Sequence, residues 1–389
     1  MKKIVIRIAL CTVLILATAV SCTAAETLGF GYVNANDVAV RRGMSGKVIG
    51  RLPMDTCVWI KNAGTDSNGV LWYEINAGVN QNYTNIDYSG WMKAEFIDSG
   101  DALWYDVTSV RAAGNGIIAL RKDGTAQSAG GLVISKDGSR RVSLRHWLDG
   151  ISGISSVGAC DLSLENYAID SSGVRYSTTA ADDRDRYRIR VAGGSYWPFF
   201  ITADNQLLTG NYGFSWVWPR QVTPEQLSHV VMIDDSFSRV LFLMDDGSLL
   251  VGCHMDDESV MPEPDWESWT GLISVEAAAA NFTELHARYY SVYAGVREDG
   301  TVLAVPEIMN DLIGSWQGMK KIVVAGSWIL GLKQDGTALT AGTGAPDVSG
   351  WTGITDIDAG YDYCVGLKGN GSLVFAGEHV FCGEGHNKR

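Results

Sequence analysis

Few residues of this 389-residue chain have the types and spacing that could do chemistry. Two groups are spaced as metal ligands can be: His379-x-x-Cys382-x-x-x-His386, and Cys253-His254 before Asp256-Asp257-Glu258. The first lacks a fourth zinc ligand and lies in a polar C-terminal tail, and the second is typical of an acidic loop after a strand. The sequence has no nucleophile elbow, His-Glu-x-x-His motif, phosphate-binding loop or calcium-binding loop. It therefore predicts no catalytic residue, no metal site and no cofactor.

Aromatic side chains are the stronger candidates for ligand contacts. Tyr212, Trp216 and Trp218 lie within one short aromatic segment. If this segment is an exposed loop, its aromatic faces form a binding surface for a protein or a glycan. Burial in a core is the alternative, and the sequence leaves both open.

The element that must position these side chains is a repeat. Trp316-Gln-Gly is followed by Gly331-Leu-Lys-Gln-Asp-Gly-Thr, and the same order returns 35 residues later from Trp351 and Gly366. A constant period of this size indicates stacked or radially arranged units. Weaker copies precede these two, and they are centred on Asp123-Gly124, Ser172-Gly173, Asp204-Asn205, Asp246-Gly247 and Asp299-Gly300.

Each copy predicts short β-strands. An apolar run forms one strand, Asp-Gly or Asn-Gly supplies the positive φ of a tight hairpin turn, and a second strand follows. A further strand lies upstream and ends at Ala-Gly. Turn spacings of roughly 30 to 55 residues suit the loops of a propeller better than a regular solenoid, and no useful stretch has the helical period. The sequence predicts an all-β propeller of about seven repeats over residues 104–378.

Tryptophan recurs at one position of the repeat. A large aromatic side chain at a repeating position is most often packing between units, because it buries much apolar area. We therefore expect packing, not ligand binding, for Trp104, Trp147, Trp269, Trp316 and Trp351.

The repeat phrase resembles the regulator-of-chromosome-condensation repeat, in the form found in secreted bacterial proteins. That resemblance covers roughly residues 104–377 and implies a seven-bladed β-propeller. The family's nuclear role in nucleotide exchange on chromatin does not transfer. This chain has a formal net charge of −13, which repels nucleic acid, and its N-terminus predicts export.

Residues 30–98 lack the repeat and read as short alternating strands between Gly, Asn and Asp turns, which predicts a small β-barrel. The segment resembles the bacterial SH3-like domain, which implies binding of cell-wall peptidoglycan or a peptide. The matching stretches are Val38-Ala-Val-Arg-Arg-Gly43, Lys47-Val-Ile-Gly50, Trp72-Tyr73 and Gly90-Trp-Met92. The segment departs from the family at Arg42, where serine is frequent, and in the longer stretch 79–88.

The resemblance implies a ligand groove with aromatic walls and one cation, formed by Arg42, Tyr73 and Trp91. Aromatic faces stack on sugars or peptide planes, and an arginine pairs with a carboxylate. The alternative is that Trp72 and Trp91 belong to the barrel core and that Arg42 is a solvated turn residue.

Residues 1–25 have the pattern of a secretory signal peptide: a basic start, an apolar run and small residues before the cleavage region. Cleavage there gives a secreted protein. Alternatively, Ala19-Val-Ser-Cys22 resembles a lipobox in which Cys22 carries lipid. The cysteines after this segment are sparse and odd in number, which excludes a disulfide framework, although Cys364 and Cys382 are close enough in sequence to pair. Isolated buried thiols are the simpler interpretation.

The sequence thus predicts an exported, non-enzymatic binding protein with a small SH3-like barrel, a seven-bladed β-propeller and a C-terminal tail over residues 379–389. The barrel would bind peptidoglycan or a peptide, and the propeller a protein or a glycan. We expect no nucleic acid partner, and membrane contact only through a lipid anchor. The alternatives are an extracellular enzyme with an active site on the propeller, and a structural surface protein whose barrel has lost its ligand.

Overall fold

The computed structural model describes residues 28–378 apart from internal gaps, and in this part the chain is nearly all β, as predicted. The gaps are residues 82–83, 114–115, 131, 135–140, 161–165, 179–186, 196, 210–221, 237–238, 254–264, 281–289 and 307. Several predicted features lie outside the described residues: the signal segment with Cys22, the aromatic segment with Tyr212, Trp216 and Trp218, the His254 cluster and the tail. Within the described residues, no helix is long and apolar enough to span a membrane.

Residues 29–99 form one seven-stranded antiparallel sheet in the order β3-β2-β6-β5-β4-β1-β7. Its strands are β1 Gly29–Val33, β2 Val38–Arg41, β3 Val48–Leu52, β4 Cys57–Thr65, β5 Leu71–Gln81, β6 Thr84–Lys93 and β7 Ile97–Ser99. Side chains alternate between two faces, because successive residues of a strand point in opposite directions. Val40, Ile75 and Met92 are fully buried on the inner face and form its core.

The remaining strands form small antiparallel sheets, seven of three strands and one of two strands within the described residues. Sheet 1 contains β8 Val107–Ala113, β9 Gly116–Arg121 and β10 Ala126–Gly130, followed by the hairpin β11 Leu132–Ile134 and β12 Arg141–Ser143. Sheet 2 contains β13 Ile154–Ala159, β14 Asn166–Asp170 and β15 Arg175–Ser177, and sheet 3 contains β16 Ile189–Gly193, β17 Phe199–Thr202 and β18 Leu207–Thr209. Sheet 4 contains β19 Val230–Asp235, β20 Arg239–Met244 and β21 Leu249–Cys253, and sheet 5 contains β22 Leu272–Ala280, β23 Tyr290–Arg297 and β24 Val302–Val305. Sheet 6 contains β25 Met319–Ala325, β26 Trp328–Lys333 and β27 Ala338–Gly342, and sheet 7 contains β28 Ile354–Ala359, β29 Tyr363–Lys368 and β30 Leu373–Gly377. Short helices α1, Pro224–Ser228, and α2, Ile308–Ile313, precede sheets 4 and 6.

The predicted turns connect the second and third strands of these sheets. Their glycines have the expected positive φ, for example +83° at Gly336, and Asn205 takes the same role in sheet 3 with a φ of +60°. The aspartate before the glycine is not left-handed. Instead its carboxylate accepts the N–H two residues later, as Asp335 does from Thr337 at 2.9 Å. This is the three-residue loop in which a type I turn precedes one left-handed residue.

The same turns join neighbouring sheets. The Gly124 carbonyl accepts the N–H of Ile154 at 2.8 Å, which links sheet 1 to the first strand of sheet 2. The Gly371 carbonyl accepts the N–H of Val107 at 2.9 Å, which links sheet 7 back to sheet 1. Equivalent bonds join sheets 2 and 3, 4 and 5, 5 and 6, and 6 and 7, whereas sheet 3 is joined to sheet 4 by Arg190, which donates to the Val230 carbonyl at 3.0 Å. Because the last sheet is also bonded to the first, the sheets close into a ring.

Substitution of Gly371 tests this joint. A Cβ at Gly371, where φ is +84°, would lie 3.0 Å from Cα of Asp106. We expect Gly371→Ala to lower the free energy of unfolding by about 1–3 kcal/mol in urea titrations. Gly369→Ala is the matched control, because its Cβ would meet Thr355 at 3.6 Å and the Gly353 carbonyl at 4.0 Å, which are ordinary contacts, and it should change stability by under about 0.5 kcal/mol. Equal effects of the two substitutions would contradict the strain argument.

The recurrent tryptophans pack as predicted. Trp104, Trp269 and Trp351 are at most 5% exposed. Trp147 packs against the core between sheets 1 and 2, and Trp316 packs against the core between sheets 5 and 6. Each of the two best repeats pairs its tryptophan with a glycine in the middle strand: a Cβ on Gly331 would lie 2.4 Å from the Trp316 ring. The glycine of the Gly-Leu-Lys phrase is therefore needed to admit the indole.

The N-terminal sheet is packed onto the ring at the joint between sheets 1 and 7. Phe30 of the sheet packs edge-on against Trp59 of the same sheet and Tyr363 of sheet 7, and Trp59 is tilted against Tyr363, at ring-centroid distances of 5.0–5.4 Å. Trp104 and Phe375 complete this group, which we call the junction cluster. Arg145 adds ion pairs from the ring to Asp55 and Asp98, at 2.9 and 2.6 Å. The N-terminal sheet and the ring thus share one core.

The described cysteines agree with isolated thiols. Cys57, Cys160 and Cys364 are free, and Cys160 and Cys364 are buried. Cys57 is half-buried as a residue, but desolvation of its thiol raises the pKa of that group to about 12, so it stays protonated near neutral pH. Cys382 lies outside the described residues, so its pairing with Cys364 stays a prediction.

Candidate functional site

One central cavity of about 280 Å³ is lined by the first strand of every sheet in the ring. Each of these first strands has a bulge in its pairing with the middle strand of the same sheet. The third residue paired after the bulge occupies the same position in all seven sheets. These equivalent residues form one level of the cavity, which we call the channel level. In ring order they are Arg111, Gly158, Gly193, Asp234, Glu276, Val323 and Asp358.

The three carboxylates of the channel level each fasten the next sheet. Asp234 accepts the N–H of Ala277 at 2.8 Å, and Glu276 accepts that of Val324 at 2.9 Å. Asp358 accepts the N–H of Ala112 at 3.0 Å and so crosses the joint between sheets 7 and 1. Because the first strand is otherwise unpaired on its channel side, these side chains satisfy donors that no neighbouring strand reaches.

Asp234 makes the largest number of these bonds. Its Oδ2 binds sheet 5 through Ala277, and its Oδ1 accepts the N–H and the hydroxyl of Ser195 at 2.9 and 2.8 Å. The N–H of Asp235 also donates to Oδ1, at 2.9 Å. One carboxylate, which is 5% exposed, thus connects sheets 3, 4 and 5.

Burial raises the pKa of the two acids on the side of the channel level formed by sheets 4 and 5, which we call the acidic wall. It raises the pKa of Asp234 to about 7, and the charge of Asp235 acts in the same direction. Burial also raises the pKa of Glu276 well above its usual range, and the charge of Asp234 adds to the effect. The two carboxyl groups oppose each other's ionisation, so this wall retains a proton near neutral pH.

On the opposite side of the cavity, at sheets 6, 7 and 1, two cations balance the charges of the carboxylates. Lys321 donates to Asp356 at 2.8 Å and to the Ile357 carbonyl at 2.7 Å, and Arg111 Nη1 donates to Asp356 at 3.2 Å. Burial alone would raise the pKa of Asp356, but the charges of Lys321 and Arg111 lower it. Burial does raise the pKa of Asp358. The Arg111 side chain remains 37% exposed along the cavity.

The cavity therefore offers a fixed guanidinium and separate carboxyl groups. Its described lining contains no histidine or cysteine. In the part of the chain that the structure describes, no three His, Cys, Asp or Glu residues are arranged to hold a metal ion.

The predicted groove residues of the N-terminal sheet are not brought together on one face. Tyr73 lies opposite Met92 and packs against the inner core, whereas Trp91 lies opposite Glu74 on the outer face. Directly opposite residues share a face, so the Tyr73 and Trp91 side chains point to opposite sides. Arg42 is exposed in the turn after β2, as the solvated alternative describes. Any binding role of the three residues stays a prediction.

The arginine that shares Trp91's face is Arg41, which is paired with it across β2 and β6. Trp91 is half-buried, and its ring lies 3.3 Å from where a Cβ on Gly64 would stand, beside Met44. We call Arg41, Glu74 and Trp91 the outer patch.

Sequence reasoning missed the channel-level residues. A signal was present, because a charged residue interrupts an apolar strand just before Ala-Gly or Ala-Ala, as in Ile357-Asp358-Ala359 and Val110-Arg111-Ala112. What the pattern does not carry is that these strands converge on one cavity.

A ring of small antiparallel sheets whose first strands surround a central cavity defines a β-propeller protein. No family model matches the chain, and no curated protein does. Among solved structures it is similar to the ectodomain of the receptor kinase CR4 from Physcomitrella patens, with 14% identity and a TM-score of 0.44 over 70% of this chain and 73% of that one. It is also similar to Prp20p from Saccharomyces cerevisiae, described with its binding to Gsp1p and histones, with 13% identity and a TM-score of 0.43 over 72% of this chain and 83% of that one.

A third similar structure is PorZ, a surface component of the type-IX secretion system of Porphyromonas gingivalis. It has 10% identity and a TM-score of 0.35 over 87% of this chain and 42% of that one.

Proposed function

We propose that this chain is an exported, non-enzymatic binding protein in which a seven-bladed β-propeller carries a bacterial SH3-like barrel. The seven three-stranded sheets would be the blades, and the seven-stranded sheet of residues 29–99 the barrel. Signal-peptide features at residues 1–25 support export. The propeller would present a rigid surface to a protein or a glycan, with Tyr212, Trp216 and Trp218 as its candidate contacts.

The outer patch carries the proposal for the barrel. Trp91 is half-buried and faces away from the barrel core, beside a cation, Arg41, and a carboxylate, Glu74. An aromatic face flanked by both charges suits a sugar–peptide ligand, because the ring stacks on the sugar and the charges pair with the peptide. We therefore propose peptidoglycan, or a peptide derived from it, as the ligand of this patch.

Sedimentation with purified peptidoglycan tests this proposal on the whole protein. The wild type should sediment with the wall, and Trp91→Ala should reduce the bound fraction at least about tenfold because it removes the stacking surface. Leu71→Ala, which removes a 45% exposed side chain of the same barrel, is the control and should bind as the wild type does. Circular dichroism of each variant confirms that it is folded.

Failure of the wild type to sediment would refute the wall-binding part of the proposal. Equal loss in both variants would show that the patch is not the contact. Release of soluble wall fragments during the incubation would favour the enzyme alternative and contradict the non-enzymatic assignment.

A further inference from the structure

We propose that the central cavity binds a small zwitterion, with Glu276 and Asp234 receiving its ammonium group and Arg111 its carboxylate. This site lies in the ring and is separate from the outer patch of the barrel. It goes beyond the proposed function, and either proposal can fail while the other stands.

Charged side chains are distributed unevenly around the channel level. Between Arg111 on one side and Asp234 on the other stand Gly158 and Gly193, which place no side chain in the cavity. Close packing enforces both glycines, since a Cβ would lie 2.0 Å from the Tyr167 ring at Gly158 and 2.0 Å from the Ile233 carbonyl at Gly193. Between the two charged sides the cavity is therefore lined by these glycines and by the Tyr167 ring, and the acids that act on Arg111 are Asp356 and Asp358 and not Asp234 or Glu276.

Both charged sides of the cavity have hydrogen-bonding capacity left unused. Arg111 donates through Nη1 to the Val110 carbonyl at 2.7 Å and to Asp356 at 3.2 Å. The guanidinium is thereby held in place while its other donors remain available to a carboxylate. Glu276 accepts one N–H at Oε1, and its Oε2 makes no hydrogen bond to another described residue.

The charges around the cavity do not cancel. Arg111 and Lys321 are matched by Asp356 and Asp358, which leaves Asp234 and Glu276 in excess at the channel level. An ammonium group supplies the missing cation, and its binding displaces the proton that burial keeps on this wall. At about 280 Å³ the cavity is just below the usual range of small-molecule sites, so its occupant must be small.

Both a free amino acid and a dipeptide carry the required pair of charges, at different separations. Isothermal titration calorimetry of the whole protein distinguishes them with L-alanine and L-alanyl-L-alanine as probes. Propylamine and propionate, which carry one charge each, are the partial ligands. We expect one zwitterion to bind, both partial ligands to bind more weakly, and proton release to appear as a binding heat that depends on the buffer.

Substitutions of Glu276 and Arg111 test whether these two residues bind the zwitterion. Glu276→Gln keeps the acceptor for the Val324 N–H and should weaken zwitterion binding at least about tenfold, without proton release. Arg111→Lys keeps the charge beside Asp356 but loses the fork, and should weaken binding several-fold. Glu298→Gln alters an exposed turn outside the cavity and should have no effect.

Three results would overturn the proposal: no binding of either zwitterion at about 10 mM, unchanged affinity in Glu276→Gln, or propylamine binding as tightly as the zwitterions. None of these results bears on sedimentation with peptidoglycan, which depends on the outer patch.

Discussion

Replacing Trp59 with alanine should lower the free energy of unfolding by about 3–5 kcal/mol. Trp59 is fully buried, and its ring contacts Phe30, Tyr363 and Phe375 at 5.0–5.9 Å. The substitution removes a large side chain from the core that the N-terminal sheet and the ring share, so it leaves a cavity against both. Urea titration followed by far-UV circular dichroism measures the loss.

The control for this prediction is Leu71→Ala, on the same sheet but exposed, which should cost under about 0.5 kcal/mol. Ile75→Ala adds a second comparison, because Ile75 is buried within the N-terminal sheet and away from the junction cluster. If the N-terminal sheet were merely tethered, Trp59→Ala would alter only a local transition and leave ring unfolding at its wild-type urea concentration.

Replacing Asp234 should have the second largest effect on the free energy of unfolding. The stabilisation that Asp234 provides should decrease as the pH rises, which is the opposite of the usual behaviour of a carboxylate. Asp234→Ala leaves the N–H groups of Ala277, Ser195 and Asp235 without their acceptor, which we expect to cost about 2–4 kcal/mol at pH 5. In the wild type the folded pKa is about 7, above the unfolded value of about 3.9. The folded state therefore holds a proton that the unfolded state releases between these values. Its stabilising contribution is complete below about pH 4 and is lost as the pH rises through about 7.

Urea titrations at intervals from pH 4 to pH 8 measure this decline, on the order of 3 kcal/mol for the wild type. Asp234→Asn does not titrate and should flatten part of the curve, while Glu276, whose pKa is also raised by burial, maintains a slope of the same sign. Asp335→Asn is the control. The hydrogen bonds from Thr337 lower the pKa of Asp335, so that group affects stability only in acid, where it is lost as the pH falls. A wild-type stability that rises from pH 4 to pH 7 would contradict the assignment.

The repeat phrase was sufficient to predict the β-structure, the left-handed glycines and the packing of Trp316 and Trp351. These features depend on interactions within one unit or with the next, so they leave a local pattern in the sequence. Even there the turn differs in detail, since the aspartate of Asp335-Gly336 closes the loop with its side chain instead of adopting a positive φ.

Features that depend on several sheets could not be predicted in the same way. Arg111 and Asp356 are 245 positions apart and meet only because the ring closes. The predicted pairing of Tyr73 with Trp91 failed geometrically because a motif match does not state which face each residue occupies, and in a strand a shift by one residue reverses the face. Whether either residue binds a ligand is a matter for the sedimentation experiment.

Each sheet of the ring is built from three consecutive strands, so no strand is shared between the two ends of the chain. The joint between sheets 7 and 1 is held by the Gly371–Val107 and Asp358–Ala112 hydrogen bonds and by the junction cluster. In mechanical terms, the N-terminal sheet holds the ring together at the joint where no loop connects neighbouring sheets. A partner that pulled on the N-terminal sheet would therefore load this joint directly, and force applied at the outer patch would be transmitted to the ring through the shared core.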